Sequence, residues 1–426
     1  MKDKIKIDLP IRTEERYIVH LDENFLDRIS PYVERKIFSD NEYVQTIYFN
    51  NEEHVVPFEF SIKARRYLPN SPKSPVMDDS IFFLDLKRGS NKDKQKIRLK
   101  ATLEEATKII NERYSFSEIP LRPYVLIEYL RQHYIPKNTR KIRITYDTNI
   151  KYFFFPKDQK EAVEIGREND YARVEIKKEK PDKYFDNLIR EILQETNAVP
   201  VISKKFTAYN LIGLYHVRTS GKPFHKELKG YEIEAKLEVD TEEIFQRIKQ
   251  FFKDRNSEFR LPQHFPYTFE SASINKYYRN SKGLFKAMFR GNEAEIVRKG
   301  NPEIIRDPFG LNCILKRKEK KGDVVPVNSR LIRSAQLQGE LYRMRKAFWV
   351  ENPQTRRFYH ISLDCCLGLP GTLYQLEVEY TGRYKPEVGR EEEIVEDIAK
   401  LTKTLIERFP ELKPSQLTKQ DWLGIE

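Results

Sequence analysis

Apolar and polar residues alternate with a period of two along much of this 426-residue chain. In "FSIKARRY" (60–67), Ile62 and Ala64 fall on one side and Lys63 and Arg65 on the other. Such alternation places residues two apart on one face of a strand. The same reading applies to "FLDLKRG" (83–89), "KQKIRL" (94–99), "EYLRQHY" (128–134), "RITYD" (143–147), "RVEIK" (173–177) and "YEIEAKLEV" (231–239). Helical periodicity is confined to 22–37, where Pro31 is placed to bend or split the helix, and to 101–114, 181–196, 240–255 and 391–409. Thr102 and Asp240 stand as helix starts, Asp240 with Glu243 at capping-box spacing. Many strands and few helices predict a mainly β fold with flanking helices (α+β), its antiparallel sheets closed or nearly closed.

The strand blocks recur. "RTEERY" (12–17) answers to "YEIEAKLEV", "FSIKARRY" to "GLFKAMFRG" (283–291), and "FLDLKRG" to "CILKRKEK" (313–320). "KQKIRL" answers to "NSRLIRS" (328–334), "EYLRQHY" to "LYRMRKAF" (341–348), "RITYD" to "HISLD" (360–364), and "RVEIK" to "LEVEY" (376–380). Collinear recurrence predicts a duplicated pair of all-β domains. The polar stretch 217–230, with Gly221, Pro223 and Gly230, marks the joint. The expected domains are 1–218 and 219–426.

The chain holds 77 Lys and Arg against 65 Asp and Glu, a net charge of +12, which favours anionic partners. Three cysteines and no Cys/His cluster exclude a zinc site of the usual spacing and suit a cytoplasmic setting. The opening "MKDKIKIDLP" lacks the apolar segment of a signal peptide, and no apolar run is long enough to span a bilayer.

The arrangement of charge narrows the chemistry. An ordinary antiparallel sheet turns its polar face to water, and that reading suffices for any single strand. Here nearly every strand of both halves carries long basic residues with a few acids. If the apolar faces pack outward against helices, the charged faces line a barrel. Lysines and arginines so enclosed repel one another and lose hydration, and a polyanion relieves both penalties. Carboxylates beside a polyanion conflict with it unless a hard divalent cation bridges the two.

In "YEIEAKLEV", Glu232, Glu234 and Lys236 form an E-x-E-x-K motif, and the C-terminal half resembles the CYTH domains of the triphosphate tunnel metalloenzymes. The N-terminal half is similar to the polyphosphate polymerase domain of the vacuolar transporter chaperone (VTC) complex, through "RTEERYIVH", "SIKARRY", "FFLDLKRG", "YLRQHY", "RITYDTN", "VEIK" and "ISKKF". The resemblance implies two tandem antiparallel eight-stranded tunnel barrels. It implies Mg²⁺ or Mn²⁺ and a nucleoside triphosphate, tripolyphosphate or polyphosphate. In the first tunnel, phosphate would be held by Arg12, Lys63, Arg65, Arg98, Arg131, Arg143, Lys177 and Lys204. In the second, the expected phosphate contacts are Lys286, Arg290, Lys316, Lys318, Arg333, Arg343 and Arg345, although "KRK" at 316–318 leaves either face open. Arg16, Lys87 and Lys236 are the expected catalytic residues. Metal would be held by Glu14 and Glu175 in the first tunnel and by Glu232, Glu234, Glu377 and Glu379 in the second. Two departures stand out: Arg16 replaces the usual lysine of the first motif, and the insert "RKGNPEIIRDP" (298–308) has no counterpart.

The implied activity is metal-dependent phosphoryl transfer, polymerase-like in the first tunnel and triphosphatase-like in the second. The alternatives are a non-catalytic polyphosphate or nucleotide sensor, and adenylate cyclisation in the second tunnel. Nucleic acid enters only as a 5′-triphosphate end, because the aromatics sit in strand patterns as core candidates and form no exposed stacking row.

Overall fold

The computed structural model describes residues 5–8, 13–36, 42–70, 81–88, 95–157, 161–180, 182–220, 230–253, 258–262, 268–290, 293–327, 329–383 and 390–425. The chain divides into two compact units, Met1–Ile212 and Gly213–Glu426. The division falls inside a helix, a few residues before the joint expected from the polar stretch. Phe206, Tyr209 and Ile212 of that helix are buried, and the Tyr209 ring packs edge-on to His54 and Tyr124. This apolar face ties the helix to the first unit as far as Ile212. Residues 221–229 of the expected joint lie outside the described residues.

The first unit contains β1 (Ile5–Asp8), β2 (Thr13–His20), β3 (Tyr43–Asn50), β4 (Ser61–Leu68), β5 (Phe82–Arg88), β6 (Gln95–Ala101), β7 (Arg122–Pro136), β8 (Ile142–Phe154) and β9 (Tyr171–Lys178). Its helices are α1 (Phe25–Ile29), α2 (Leu103–Arg113), α3 (Lys183–Glu195) and α4 (Lys204–Ser220). The main strands are antiparallel in the order β1-β6-β5-β4-β3-β7-β8-β9-β2. The two ends of that order, β1 and β2, are neighbours in sequence. Five peptide steps from Asp8 to Thr13 span at most roughly 18 Å, so the sheet curls back on itself, but among the described residues no strand pairing joins its ends, and the expected eight-stranded closure is not seen in this unit.

The second unit contains β10 (Tyr231–Glu238), β11 (Thr268–Asn280), β12 (Gly283–Arg290), β13 (Glu293–Lys299), β14 (Ile314–Pro326), β15 (Gln336–Asn352), β16 (Arg357–Gly368) and β17 (Gly371–Arg383). Its longer helices are α5 (Glu243–Phe251) and α6 (Glu391–Arg408), followed by the one-turn α7 (Lys419–Trp422). The order β14-β13-β12-β11-β15-β16-β17-β10 closes through direct β10–β14 pairing into an eight-stranded antiparallel barrel.

In both units the apolar strand faces point outward under helices. Ile233, Ala235 and Leu237 of β10 pack with Ile244 and Ile248 of α5 and with Ile394, Ile398 and Leu405 of α6. Ile62, Ala64, Leu84 and Leu86 pack beneath Ala106 and Ile110 of α2. Val174 and Ile176 pack beneath Phe185, Ile189 and Ile192 of α3. Each such Ile, Leu, Val or Phe side chain contributes about 1.5–3 kcal/mol when fully buried. Strand alternation then leaves the charged residues no face but the interior.

Several local expectations change. The helix expected over 22–37 ends at Ile29; Pro31 sits in a 3-10 turn, and Val33–Arg35 is extended. Thr102 does form a capping box with Glu105. Asp240 does not: α5 begins after Glu242, which makes no side-chain cap bond. The repeat slips in its middle. "NSRLIRS" is not a strand, because Arg330–Arg333 form a helical turn. The counterpart of β5 is β13, and "CILKRKEK" in β14 answers to β6. With β13 overlooked, two of the seven matches moved by one strand.

Candidate functional site

Strand register assembles the first interior. β2 and β9 set Glu14 opposite Lys177 and Arg16 opposite Glu175; β8 continues the rows with Arg143 and Thr145. Directly opposed residues share a face. Arg16 Nε donates to Glu175 Oε1 at 3.0 Å, and Lys177 Nζ lies 2.9 Å from Glu175 Oε2. Arg16 Nη2 also reaches Glu14 Oε2 at 2.5 Å. Burial works to raise the Glu175 pKa, but Lys177, Arg16 and Arg131 outweigh it and hold the carboxyl well below its usual range.

Two residues beyond Thr145 on β8, Asp147 is completely buried. It accepts both arms of Arg131, at 2.7 and 2.6 Å, and a bond from Lys204 Nζ. Burial opposes ionisation, yet the two cations bring the Asp147 pKa down to about 2. The Tyr129 ring lies beneath Arg131 and Lys204, at 5.0 and 4.4 Å. On the other wall Arg98 grips Asp85 with two bonds of 2.6 and 2.9 Å. Lys63 is paired with Asp85 in the strand register, and Lys87 with Ser61. Arg65 Nε donates to Thr46 Oγ1 at 3.2 Å. Burial, with Arg65 and Lys87 adding repulsion, pushes Lys63 well below the ordinary lysine value. The structure thus brings together, on one inner face, every first-tunnel residue singled out from sequence except Arg12, which lies outside the described residues.

The second interior repeats the plan with different charges. β10 sets Glu234 opposite Glu379 and Lys236 opposite Glu377 on β17, and Glu232 opposite Arg317 on β14. Arg317 bridges Glu232 and Glu234, at 2.5 Å to each. Lys299 Nζ lies 2.8 and 2.7 Å from the two Glu232 oxygens. Lys236 Nζ lies 2.7 Å from Glu377 and 3.1 Å from Glu234. Arg345 holds Asp364 with bonds of 2.5 and 2.7 Å and reaches Glu377 at 2.5 Å. A cavity of about 210 Å³ remains, bordered by Lys286, Lys299, Arg343, Arg345, Glu377 and Glu379 among others. Burial, then repulsion from Lys299 and Arg343, pushes Lys286 well below the ordinary lysine value.

Three expected phosphate contacts stand elsewhere. Lys316 faces out, with Nζ 2.7 Å from both oxygens of Glu391 on α6 and 4.9 Å from the Tyr231 ring centre. Lys318 is exposed. Ile314 belongs to the outer core, so alternation carries 316 and 318 outward and turns Arg317 and Glu319 inward. Arg333 is exposed on the helical turn. The side chain of Arg290 lies outside the described residues.

Sequence reasoning missed Lys299, Arg317, Asp364 and Lys419. Asp364 and Lys419 had a readable signal in the repeat. After its last barrel strand each unit runs through a helix and a short strand that pairs with its first long strand. Val199–Pro200 pairs with β2, and Lys413–Ser415 with β10. A helix follows whose first residue is a lysine, Lys204 in "SKK" and Lys419 in "TKQ". Lys419 Nζ lies 2.8 Å from Asp364 and 2.6 Å from Glu377, as Lys204 lies on Asp147. Trp422, in the C-terminal segment, packs over Gly368, where an added Cβ would stand 3.1 Å from its ring.

The VTC domain family matches residues 11–212, a little under half of the chain. A comparison with curated proteins gives no match. Similar solved structures include a protein from Vibrio parahaemolyticus put forward as an adenylate cyclase, 13% identical, covering 48% of this chain and 99% of that one, TM-score 0.30. PH1819 from Pyrococcus horikoshii is 12% identical over 48% of this chain and 99% of that one, TM-score 0.27. The RNA triphosphatase Pct1 of S. pombe is 13% identical over 49% and 94%, TM-score 0.26.

Proposed function

We propose, from the premise that the first unit is a VTC domain, that this protein transfers phosphoryl groups on triphosphate or polyphosphate substrates, with the first barrel as the polymerase-like centre. The observation that carries the reading is the inner face of that barrel. Arg16, Lys63, Arg65, Lys87, Arg143 and Lys177 converge there from separate strands around ionised carboxylates. Arginines supply paired N–H donors for phosphate oxygens, and lysines supply compact charge. Asp85 and Asp147 hold Arg98 and Arg131 in fixed orientations, so these donors need little reorganisation as charge develops on a transferring phosphoryl group. Lys63, half-buried beside Arg65 and Lys87, is a group whose charge a bound phosphate would stabilise.

Among the described residues no three His, Cys, Asp or Glu side chains group closely enough to cage a metal. Mg²⁺ seldom needs such a cage, since it binds through one or two carboxylates with water and substrate phosphates filling its shell. Glu175, held ionised, with Glu14 two residues from Arg16 on the partner strand, fits that donor set. Either Mg²⁺ or Mn²⁺ held there would neutralise charge on the substrate's bridging oxygens. Arg16 and Lys177 keep Glu175 oriented and bracket the phosphate chain.

The second barrel offers the same class of ligand a cavity of about 210 Å³. There Glu232, Glu234 and Glu377 each already carry at least two cations of the chain itself. The test incubates the protein with ATP, tripolyphosphate or polyphosphate and Mg²⁺ or Mn²⁺, scoring released phosphate and chain growth. Glu175→Gln should reduce turnover by about 100-fold. Full turnover in that variant, or none in the wild type with any triphosphate, removes the assignment of the first barrel. Glu232→Gln and Glu377→Gln should leave turnover intact if the second barrel only binds.

A further inference from the structure

We infer that the second barrel opens into a basic vestibule that accepts the continuation of a linear polyphosphate whose end lies in the barrel. The inference rests on the reading of that barrel as a phosphate-binding site and names its ligand as a chain longer than a triphosphate.

The vestibule is a cavity of about 830 Å³, some four times the volume inside the barrel. The two adjoin: Leu284, Lys299, Glu319, Thr418 and Gln420 border both. Six basic residues line the outer space, Arg279, Lys282, Arg298, Lys299, Lys318 and Lys320, against the acids Glu319 and Asp421. They come from β11, the turn before β12, β13 and β14, so the barrel wall itself sets their spacing. Lys299 reaches inward to Glu232 and Glu319 and joins the two spaces. Among the described residues, no carboxylate lies within ion-pair distance of Lys282, Lys318 or Lys320. The barrel interior differs, since its cations are mostly matched to acids.

The insert 298–308, whose first two residues end β13, builds part of this wall. Glu303–Ile304 pair with Lys316 and Leu315 on β14, and Gly300 N donates to Lys318 O at 2.8 Å. These bonds fix Gly300, Asn301 and Pro302 along the vestibule. Arg298 is held over the Phe285 ring at 5.1 Å. Nucleic acid fits the lining less well. Among the described residues that border the vestibule, Tyr231 is the sole aromatic ring, and Lys316 already lies 4.9 Å from its centre. A row of cations without a stacking platform suits a phosphate chain that carries no bases.

The experiment uses the full chain and titrates tripolyphosphate and size-fractionated long-chain polyphosphate into three proteins. These are the wild type, the triple variant Lys282→Ala, Lys318→Ala, Lys320→Ala, and Lys286→Ala. The first unit is the same in all, so differences report on the second. The triple variant should lose at least tenfold in long-chain affinity and keep tripolyphosphate affinity within about twofold. Its dependence of log Kd on log salt should flatten by about 2, at roughly 0.7 per lost phosphate contact. Unchanged long-chain affinity in the triple variant overturns the vestibule. Tripolyphosphate binding unaffected by Lys286→Ala overturns the underlying reading of the barrel instead. Equal competition by single-stranded RNA lacking a 5′-triphosphate also overturns the proposal, since the surface would then read any polyanion.

Discussion

The curled sheet of the first unit and the closed barrel of the second share a strand order and differ in how they balance charge. On their first and last strands, Glu14–Lys177 and Arg16–Glu175 in the first unit occupy the places of Glu234–Glu379 and Lys236–Glu377 in the second. Counting Arg12 and Glu232 two positions earlier, the first unit has three bases and two acids where the second has one base and four acids. The second unit restores balance from elsewhere: Arg317 on β14, Lys299 on β13, and Lys419 from the C-terminal segment. One feature stays fixed. A buried aspartate, Asp147 or Asp364, takes a strand arginine and a helix-start lysine in both. The frame tolerates exchange of charge at the centre provided this anchor holds the arginine in place.

The anchor supplies the largest expected effect. Asp147→Ala leaves Arg131 and Lys204 without their buried counter-charge and should cost about 3–5 kcal/mol in its own unit, read by denaturant unfolding. Asp364→Ala should cost less, because Arg345 and Lys419 both keep buried Glu377. A larger loss at Asp364 than at Asp147 would break the comparison. Next come the lysines: Lys204→Ala and Lys419→Ala should each weaken tripolyphosphate binding by about tenfold in one barrel only, each removing a charged hydrogen bond, measured by calorimetry. Loss at both sites from a single substitution would show that they are not independent.

Exchanging the differing position sharpens the contrast. Lys177→Glu gives the first barrel the acid pair of the second and should raise Mn²⁺ affinity by about tenfold, while Glu379→Lys should lower it in the second. Paramagnetic titration of Mn²⁺ reads both, and no change in either direction would separate metal binding from these strands. The smallest effect is in pH. Lys63 and Lys286 both lie below their unfolded pKa. Across the window between folded and unfolded values, the unfolded chain therefore binds more protons, and ligand-free stability rises with pH. Bound phosphate raises both values again, so anion binding should take up protons and weaken as pH rises through that window. Calorimetry in buffers of different ionisation enthalpy detects the uptake. Lys63→Met should remove it for the first barrel, and Lys286→Met for the second.

The alternation of "SIKARRY", "RITYD" and "YEIEAKLEV" already sorted inner from outer residues, because a strand offers only two faces and Ile, Val and Leu claim one of them. That rule failed at "ILKRKEK", where basic residues occupy successive positions and only Ile314, packed in the outer core, decides that Arg317 turns inward. Lys299 was hidden because "EAEIVRK" was not recognised as a barrel strand. Lys419 was hidden by distance: it follows its aspartate by more than fifty residues, and the short motif around it resembles that of Lys204 only when the two units are laid over one another.

By itself the sequence determined the class of fold, the duplication and the concentration of cations and acids on single strand faces, since each follows from local periodicity and composition. Tertiary structure alone decided which charges meet. The register of β10 against β14 and β17, and the return of the C-terminal segment to β10, set the partners of Glu232, Glu234 and Glu377. Those pairings join residues far apart along the chain, and ion-pair energy depends on separations of a few ångströms, which no one-dimensional pattern contains.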